Sequence, residues 1–464
     1  MIVMKFGGTS VQDAEAIRRV ADIVSDRVSS RPVVVVSALS KVTDSLLLIA
    51  RIVSERRFEE AEPLIEKLRQ RHLSTARDLR SPSGLRSEGY SLEWAERSIN
   101  YQIGDLSGMA RSVATLGELT SRSQDAIVSF GERLSSILVA AAFEERGIKV
   151  ELVDSRQFII TDSHFTSATP DMPVTELRTR EVLAPIIESG CVPLAQGFIG
   201  STVEGVTTTI GRGGSDYSAA IIGAALGAEV IEIWTDVDGL MTVDPRLVSE
   251  ARRIRVISFA EAAELSYFGA KVLHPNTVLP AVERDIPVHI YNTRNPGGEG
   301  TLIVASPRPS RGAIKSIAFK SGVTIVNVNS TRMVMAHGFL RAIFEVFDRH
   351  QTSVDVVTTS EISVSITVDS TDRLEGIARD LRTLGEVTIE SNKAIFCVVG
   401  SNLKSTPGIA ARLFRAIQPV NVNMISQGAS EINVTFVIDE REIERVAGSL
   451  HKEFFSDPDA ELFG

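Results

Sequence analysis

MIVMKFGGTS (residues 1–10) runs on through VQDAEAIRRVADIVSDRVSS (11–30) into RPVVVVS (31–37), and this opening decides the fold. Met1 to Phe6 reads as a short apolar strand ending in Gly7-Gly8-Thr9-Ser10. Helical spacing follows at Ala14, Ile17, Val20, Ala21 and Val24. Val33 to Val36 is then an unbroken β-branched run, the mark of a strand buried on both faces. Strand, helix and buried strand within about forty residues make a βαβ unit, which implies a parallel sheet.

Outward from this unit the alternation continues, apart from Phe58 to Ser112. That stretch is rich in Glu, Arg and Leu and reads as a helical insertion with a break at Ser81-Pro82-Ser83-Gly84. Further helices are predicted over 132–143, 215–225 and 259–265, and strands over 149–153, 192–195, 230–234 and 286–291. Residues 1–300 are therefore expected to form one α/β domain, a mostly parallel sheet with helices on both faces. Asn295-Pro296-Gly297-Gly298 and the breakers from Pro307 to Gly312 mark a boundary. Beyond it a pattern occurs twice, with Gly338-Phe339-Leu340 echoed by Gly408-Ile409-Ala410 and Ser360-Glu361-Ile362-Ser363 by Ser430-Glu431-Ile432-Asn433. Two βαββαβ modules of ferredoxin-like type follow, 313–390 and 391–464, the second able to interleave with the first. Separate strands are predicted at 386–390 and 394–399.

The chain has 464 residues, enough for two or three domains. A net charge of −10 argues against a chain-wide grip on nucleic acid. Cys191 and Cys397 are the only cysteines, too few for a disulfide framework or a four-thiolate zinc site. The start lacks the basic and apolar regions of a signal peptide, and no apolar run nears a membrane span, so a cytoplasmic protein with no membrane or nucleic-acid partner is expected.

Lys5-Phe6-Gly7-Gly8-Thr9-Ser10 puts a cation, two glycines and two hydroxyls between a strand and a helix. Backbone N–H groups at glycines, a helix N-terminus and an ammonium suit a phosphate. Taken alone, the stretch also fits a plain glycine turn with Thr9 or Ser10 as N-cap. Thr207 to Asp216 (TTTIGRGGSD) adds three glycines, a guanidinium, hydroxyls and a carboxylate before a small-residue helix. WTDVDG (234–239) follows a strand, at the carboxyl edge where open α/β sheets bind ligands. In FGAKVLHP (268–275), Lys271 could reach phosphates, and His274 before Pro275 reads as a structural loop residue. No GxxxxGK[ST], strand-linked GxGxxG, GxSxG or HExxH occurs to point elsewhere. These segments imply phosphoryl transfer, with the acceptor left open.

KFGGTSV (5–11), SFGERLS (129–135), QGFIG (196–200), TTTIGRGGSDYSAA (207–220), WTDVDG (234–239) and FGAKVLHP (268–275) together resemble aspartate kinase. SVDVVTTSE (353–361) and SQGASEINVTFVI (426–438) resemble its ACT regulatory domains. The likeness spans nearly the whole chain, lacks a fused dehydrogenase and is nearest the lysine-sensitive class. It implies the amino acid kinase fold followed by two ACT domains. It also implies a phosphotransferase with a carboxyl acceptor, ATP + L-aspartate → ADP + 4-phospho-L-aspartate, the first step toward lysine, threonine and methionine. ATP is the expected co-substrate, with Mg2+ as its counter-ion.

The resemblance makes Lys5 and Asp216 catalytic, and it places Ser37, Thr43, Glu132, Phe198, Arg212, Gly213 and Ser215 around aspartate. Lys5, Gly7, Gly8, Thr9, Ser10, Thr235, Asp236, Met241, Arg246 and Lys271 are the expected ATP positions. Met241 stands where the family often carries an aromatic, and a thioether packs against a ring without stacking. Met333, Ala336, Gly338, Phe339, Leu340, Ser353, Val354, Asp355, Ser360 and Glu361 match the effector site. Two carboxylates there favour a cationic side chain, so lysine rather than threonine is the expected inhibitor. Ala336 replaces an expected hydroxyl, one hydrogen bond fewer for the effector. A homodimer or higher homo-oligomer through the ACT domains is expected. The alternatives are a non-catalytic amino-acid-sensing ACT protein and another enzyme of the amino acid kinase fold.

Overall fold

The computed structural model describes residues 1–80, 89–268, 275–307, 314–333, 337–457 and 462–464. The predicted break at Ser81 to Gly84 lies outside them. The chain divides into two compact units, one of residues 1–239 and 273–305, the other of 240–272 and 306–464. Residues 240–272, on the N-terminal side of the boundary expected near 300, thus cluster with the C-terminal part.

In the first unit, β1 (Ile2–Phe6) leads to α1 (Ala14–Ser25) and β2 (Pro32–Val36). All five residues of β1 and of β2 are buried, which is why both stretches are uniformly apolar but for Lys5. Asp13 caps α1, its carboxylate accepting from the Ala16 N–H at 2.9 Å. A helical layer follows: α2 (Val42–Ser54), then α3 (Phe58–Asp78) and α4 (Leu92–Leu116), which fall on the insertion expected from composition over 58–112. Ile65, Leu68, Ile99, Ile103 and Leu106 tie this layer into the main core.

Next come α5 (Ser121–Val128), α6 (Phe130–Glu145), β3 (Val150–Val153), α7 (Met172–Glu188) and β4 (Val192–Gln196). They are followed by the hairpin β5 (Ile199–Ser201) and β6 (Thr207–Thr209), then α8 (Gly214–Leu226) and β7 (Val230–Thr235). Ser121–Glu145 is the one described helical stretch long and apolar enough to cross a membrane, and 89% of its most apolar window is buried, as in a core helix. β8 (Val256–Ser258) and α9 (Phe259–Tyr267) belong to the second unit. α10 (Leu279–Glu283), β9 (Val288–Asn292) and β10 (Thr301–Val304) complete the first.

Within this unit the sheet order is β3-β4-β2-β1-β7-β9-β10, parallel except for β10. β1 is central, and Lys5 pairs in register with Val35 on one side and Ile233 on the other. The ends of β1, β2, β4 and β7 therefore converge on one edge, where doubly wound sheets bind ligands. α8 packs close to the sheet because Gly223 has no Cβ; one would lie 2.7 Å from Ile231 Cδ1.

In the second unit, β11 (Ile314–Asn329), α11 (Phe339–Arg349), β12 (Val357–Thr359), β13 (Ser363–Val368), α12 (Leu374–Leu381) and β14 (Glu386–Gly400) form the first repeat. α13 (Ile409–Ala416), β15 (Val422–Gln427), β16 (Asn433–Asp439) and α14 (Ile443–Phe455) form the second. The strands make one antiparallel sheet, β12-β13-β11-β14-β16-β15. The strands predicted at 386–390 and 394–399 are one strand, bent at Asn392 (φ 56°) rather than ended there. The start of β11 pairs with the end of β14, so each long strand serves both repeats. Gly338 and Gly408, the repeated anchors, are both left-handed residues (φ 82° and 79°) that open α11 and α13. α9 is fixed to this sheet by a buried ion pair, Glu261 with Lys315 at 2.8 Å, which Ser401 Oγ supports by donating to Glu261 at 2.9 Å.

Candidate active site

The turn after β1 is stitched to its neighbours through the backbone. The Gly7 N–H donates to Trp234 O at 3.1 Å, Ser37 N–H to Phe6 O at 3.1 Å, and Ser40 N–H to Gly8 O at 3.0 Å. A Cβ on Gly8 would lie 2.9 Å from Ala38 O, so the approach of this turn to the 37–40 loop needs a glycine. Lys5 ends the buried strand, and its Nζ meets Asp216 Oδ1 at 2.6 Å. Asp216 sits in the first turn of α8, where the helix dipole favours a carboxylate. The two residues, more than 200 positions apart in sequence, share one cleft of about 390 Å3.

Ser37, Thr43, Glu132, Phe198, Arg212, Gly213 and Ser215 line the same cleft, so every residue expected around the acceptor is gathered there with Lys5, Gly8 and Asp216. The fold explains how. Gly131 lets α6 start against the 37–40 loop, since a Cβ there would sit 2.8 Å from that of Ala38. Gly197 likewise lets the end of β4 touch α8, a Cβ lying 2.6 Å from that of Ser215. Phe198 takes a left-handed backbone (φ 68°), held by its N–H donating to Ser218 Oγ at 3.0 Å and its carbonyl accepting from the Ile210 N–H at 3.0 Å.

Glu132 is 3% exposed. Its Oε1 accepts from the Ala38 N–H at 3.2 Å, while Oε2 is buried with no hydrogen-bond partner. Burial raises this carboxyl from an ordinary 4.5 to about 8, against the lowering effect of the Ala38 N–H. A buried acceptor without a donor, facing a cleft, is a place for a ligand cation.

Asp125 escaped the sequence reading. Its buried carboxylate on α5 accepts from Thr166 N–H at 3.0 and 2.9 Å, Thr209 N–H at 2.9 Å and Thr209 Oγ1 at 2.7 Å. It thereby ties the helix that runs into Glu132 to the strand that runs into Arg212. Its only signal in sequence is a carboxylate on the apolar face of a helix. Lys41 also lines the cleft and was not singled out.

Of the expected ATP positions, Gly7, Gly8, Thr9 and Ser10 form the turn beyond β1. Thr235 ends β7 and Asp236 follows it, and Thr235 O accepts from Thr293 Oγ1 at 2.8 Å. Met241 and Arg246 belong to the second unit, where Ser316 Oγ donates to Met241 O at 2.7 Å and Arg246 pairs with Asp244 at 2.6 Å. Lys271 and His274 lie outside the described residues. No group of three or more His, Cys, Asp or Glu that could cage a metal occurs among the described residues.

Of the expected effector positions, Ala336 lies outside the described residues. Asp355 is engaged within its own unit: Oδ2 meets Lys320 Nζ at 3.1 Å and Oδ1 accepts from Tyr267 Oη at 2.7 Å. Met333 ends the short turn after β11; Gly338, Phe339 and Leu340 open α11; Ser353 and Val354 precede Asp355. Ser360 Oγ lies 2.7 Å from Ser363 Oγ, and Glu361 is exposed.

Residues 1–292 match the profile of the Amino acid kinase family, and 396–454 that of an ACT domain. Lysine-sensitive aspartokinase 3 of Escherichia coli (strain K12) is 37% identical over 465 residues, 98% of this chain and 99% of that protein. Aspartokinase 1, chloroplastic, of Arabidopsis thaliana is 36% identical over 98% of this chain and 80% of its own length. The crystal structure of E. coli aspartokinase III with aspartate and ADP (R-state) superposes with a TM-score of 0.81 at 35% identity, covering 98% of this chain and 100% of that one. The same enzyme with lysine and aspartate (T-state) gives 0.82 at 35% identity, with the same coverage.

Proposed function

The chain belongs to the aspartokinase family, and from that premise we propose that its cleft transfers the γ-phosphoryl group of ATP to the side-chain carboxylate of L-aspartate, giving ADP and 4-phospho-L-aspartate. The observation that carries this reading is the Lys5–Asp216 pair in one cleft with the unpartnered Oε2 of Glu132. Phosphoryl transfer asks mainly for positioning and charge neutralisation. Gly7, Gly8, Thr9 and Ser10 offer backbone and hydroxyl donors to the phosphates, and Thr235 and Asp236 flank the nucleotide side. Lys5 stabilises charge on the transferring group, and Asp216 fixes its ammonium. A carboxylate acceptor is already ionised at neutral pH, so no general base is needed.

Glu132 receives the ammonium of aspartate and Arg212 one of its carboxylates, while Ser37, Thr43, Phe198, Gly213 and Ser215 shape the rest. Mg2+ enters as the counter-ion of ATP, carried by its phosphates. The assay is ADP release dependent on both ATP and L-aspartate, which Lys5→Met should abolish while leaving the melting transition in place. Turnover that survives the substitution would refute the role of Lys5.

For regulation, the ACT match and the exposed, acidic Glu361 support lysine as the feedback inhibitor acting through the second unit, whereas the Asp355 carboxylate is already matched by Lys320. Titrating activity with lysine and with threonine decides it; inhibition by threonine alone would overturn the assignment. The tandem modules support a homodimer, which sedimentation velocity measures. Two cysteines, one of them (Cys397) buried with its thiol pushed well above the usual range, support a reducing compartment such as the cytoplasm.

A further inference from the structure

Lys41 lies in the wall of the acceptor cleft with a left-handed backbone, φ 66° and ψ 3°. That conformation is unfavourable for a residue with a Cβ, and glycine or asparagine adopts it more readily. The fold does not use the side chain in return. Lys41 is the N-cap of α2 without a side-chain cap bond, and only its carbonyl is engaged, by Ser45 N–H at 3.2 Å and Ser45 Oγ at 3.0 Å. No described residue forms an ion pair with its ammonium, and the side chain is exposed.

The charge inventory of the cleft shows what is left for it to meet. Lys5 is matched by Asp216. Glu132 has its carboxyl raised and faces the position for a ligand ammonium. Arg212 and Lys41 remain, with Asp44 as the other lining carboxylate. A dicarboxylic amino acid brings two anionic groups, and a single guanidinium takes one of them bidentately. We propose that Lys41 is a second acceptor clamp, its ammonium taking the carboxylate that Arg212 does not. Strained residues cluster at active sites and ligand clamps, and the strain here coincides with the cleft. The inference rests on the acceptor-site reading given above and adds a specificity-determining residue to it.

The test compares Lys41→Asn, which suits the left-handed backbone but removes the charge, with Lys41→Arg, which keeps the charge. Aspartate and ATP are varied separately, and melting curves are recorded. Lys41→Asn should raise the aspartate KM about tenfold, the loss of one charge-assisted contact, leave the ATP KM unchanged and melt no lower than the parent. Lys41→Arg should recover most of the affinity. An unchanged aspartate KM in Lys41→Asn, alongside a raised one in Arg212→Ala, overturns the clamp and leaves the acceptor site standing. If Arg212→Ala is also without effect, the acceptor site itself falls. A rise in the ATP KM instead would assign Lys41 to the nucleotide and overturn the proposal.

Discussion

On the role proposed for Glu132, aspartate binding is pH-dependent in a way that can be worked out in advance. Its carboxyl is buried, raised from 4.5 to about 8, and must be ionised to receive an ammonium. Acceptor affinity should therefore be weakened by the fraction of enzyme holding the proton: about 100-fold at pH 6, about 11-fold at pH 7 and about twofold at pH 8, relative to the limit at high pH. At pH 7 this corresponds to about 1.4 kcal/mol spent on ionisation before binding. Glu132→Gln cannot ionise, so its aspartate KM should be high and flat across the same range.

Stability should move the opposite way. Because the folded pKa is raised, the protonated carboxyl's contribution is complete below pH 4.5 and is lost as pH rises through about 8. Glu132→Gln should thus melt above the parent by a margin that grows from pH 5 to pH 8 and then levels. The assays are aspartate KM at saturating ATP between pH 6 and 9, and thermal melts between pH 5 and 9. A parent KM that is flat from pH 6 to 8, or a glutamine variant that binds aspartate as the parent does, would refute the reasoning.

Two substitutions probe how the walls of the cleft are held. Gly197→Ala would place a Cβ 2.6 Å from that of Ser215 and 2.8 Å from its Cα, so the first turn of α8 must shift and carry Asp216 from Lys5. It should cost about 1–3 kcal/mol in stability and lower kcat, read by denaturant melts and initial rates. Asp125→Asn turns one accepting oxygen into an amide amid three donors, two N–H groups and a hydroxyl. It should destabilise by about 2–4 kcal/mol and raise the aspartate KM; a variant as stable as the parent would show that Asp125 is not the tie between the two walls.

The sequence carried the architecture of the first unit because its central strands are apolar throughout and its helices keep regular spacing. β1, α1, β2, α8 and β7 stand within a few residues of their expected limits. Where a polar or irregular residue sits inside an element, the reading stopped early. Separate strands were expected at 386–390 and 394–399, yet pairing with β11 before and after Asn392 carries β14 through the bend. Residues 240–272 follow the kinase-like strands in sequence but pack through Glu261 and Lys315 with the C-terminal sheet, which no local pattern announces. Glu132, Phe198, Arg212, Gly213 and Ser215, which the structure gathers in one cleft, stood out through motif resemblance, since each lies in a glycine-dense or helix-opening stretch. Asp125 and Lys41 did not, because their meaning is tertiary: a carboxylate is remarkable only once buried, and a lysine only once its backbone is left-handed.

The most direct measurement captures the product. Purified enzyme is incubated with MgATP and L-aspartate in the presence of hydroxylamine, which converts an acyl phosphate to a hydroxamate, and hydroxamate is compared with ADP. The account predicts hydroxamate appearing in step with ADP, only when aspartate is present, and neither with Lys5→Met. ADP formed without hydroxamate, or at the same rate when aspartate is omitted, would contradict it.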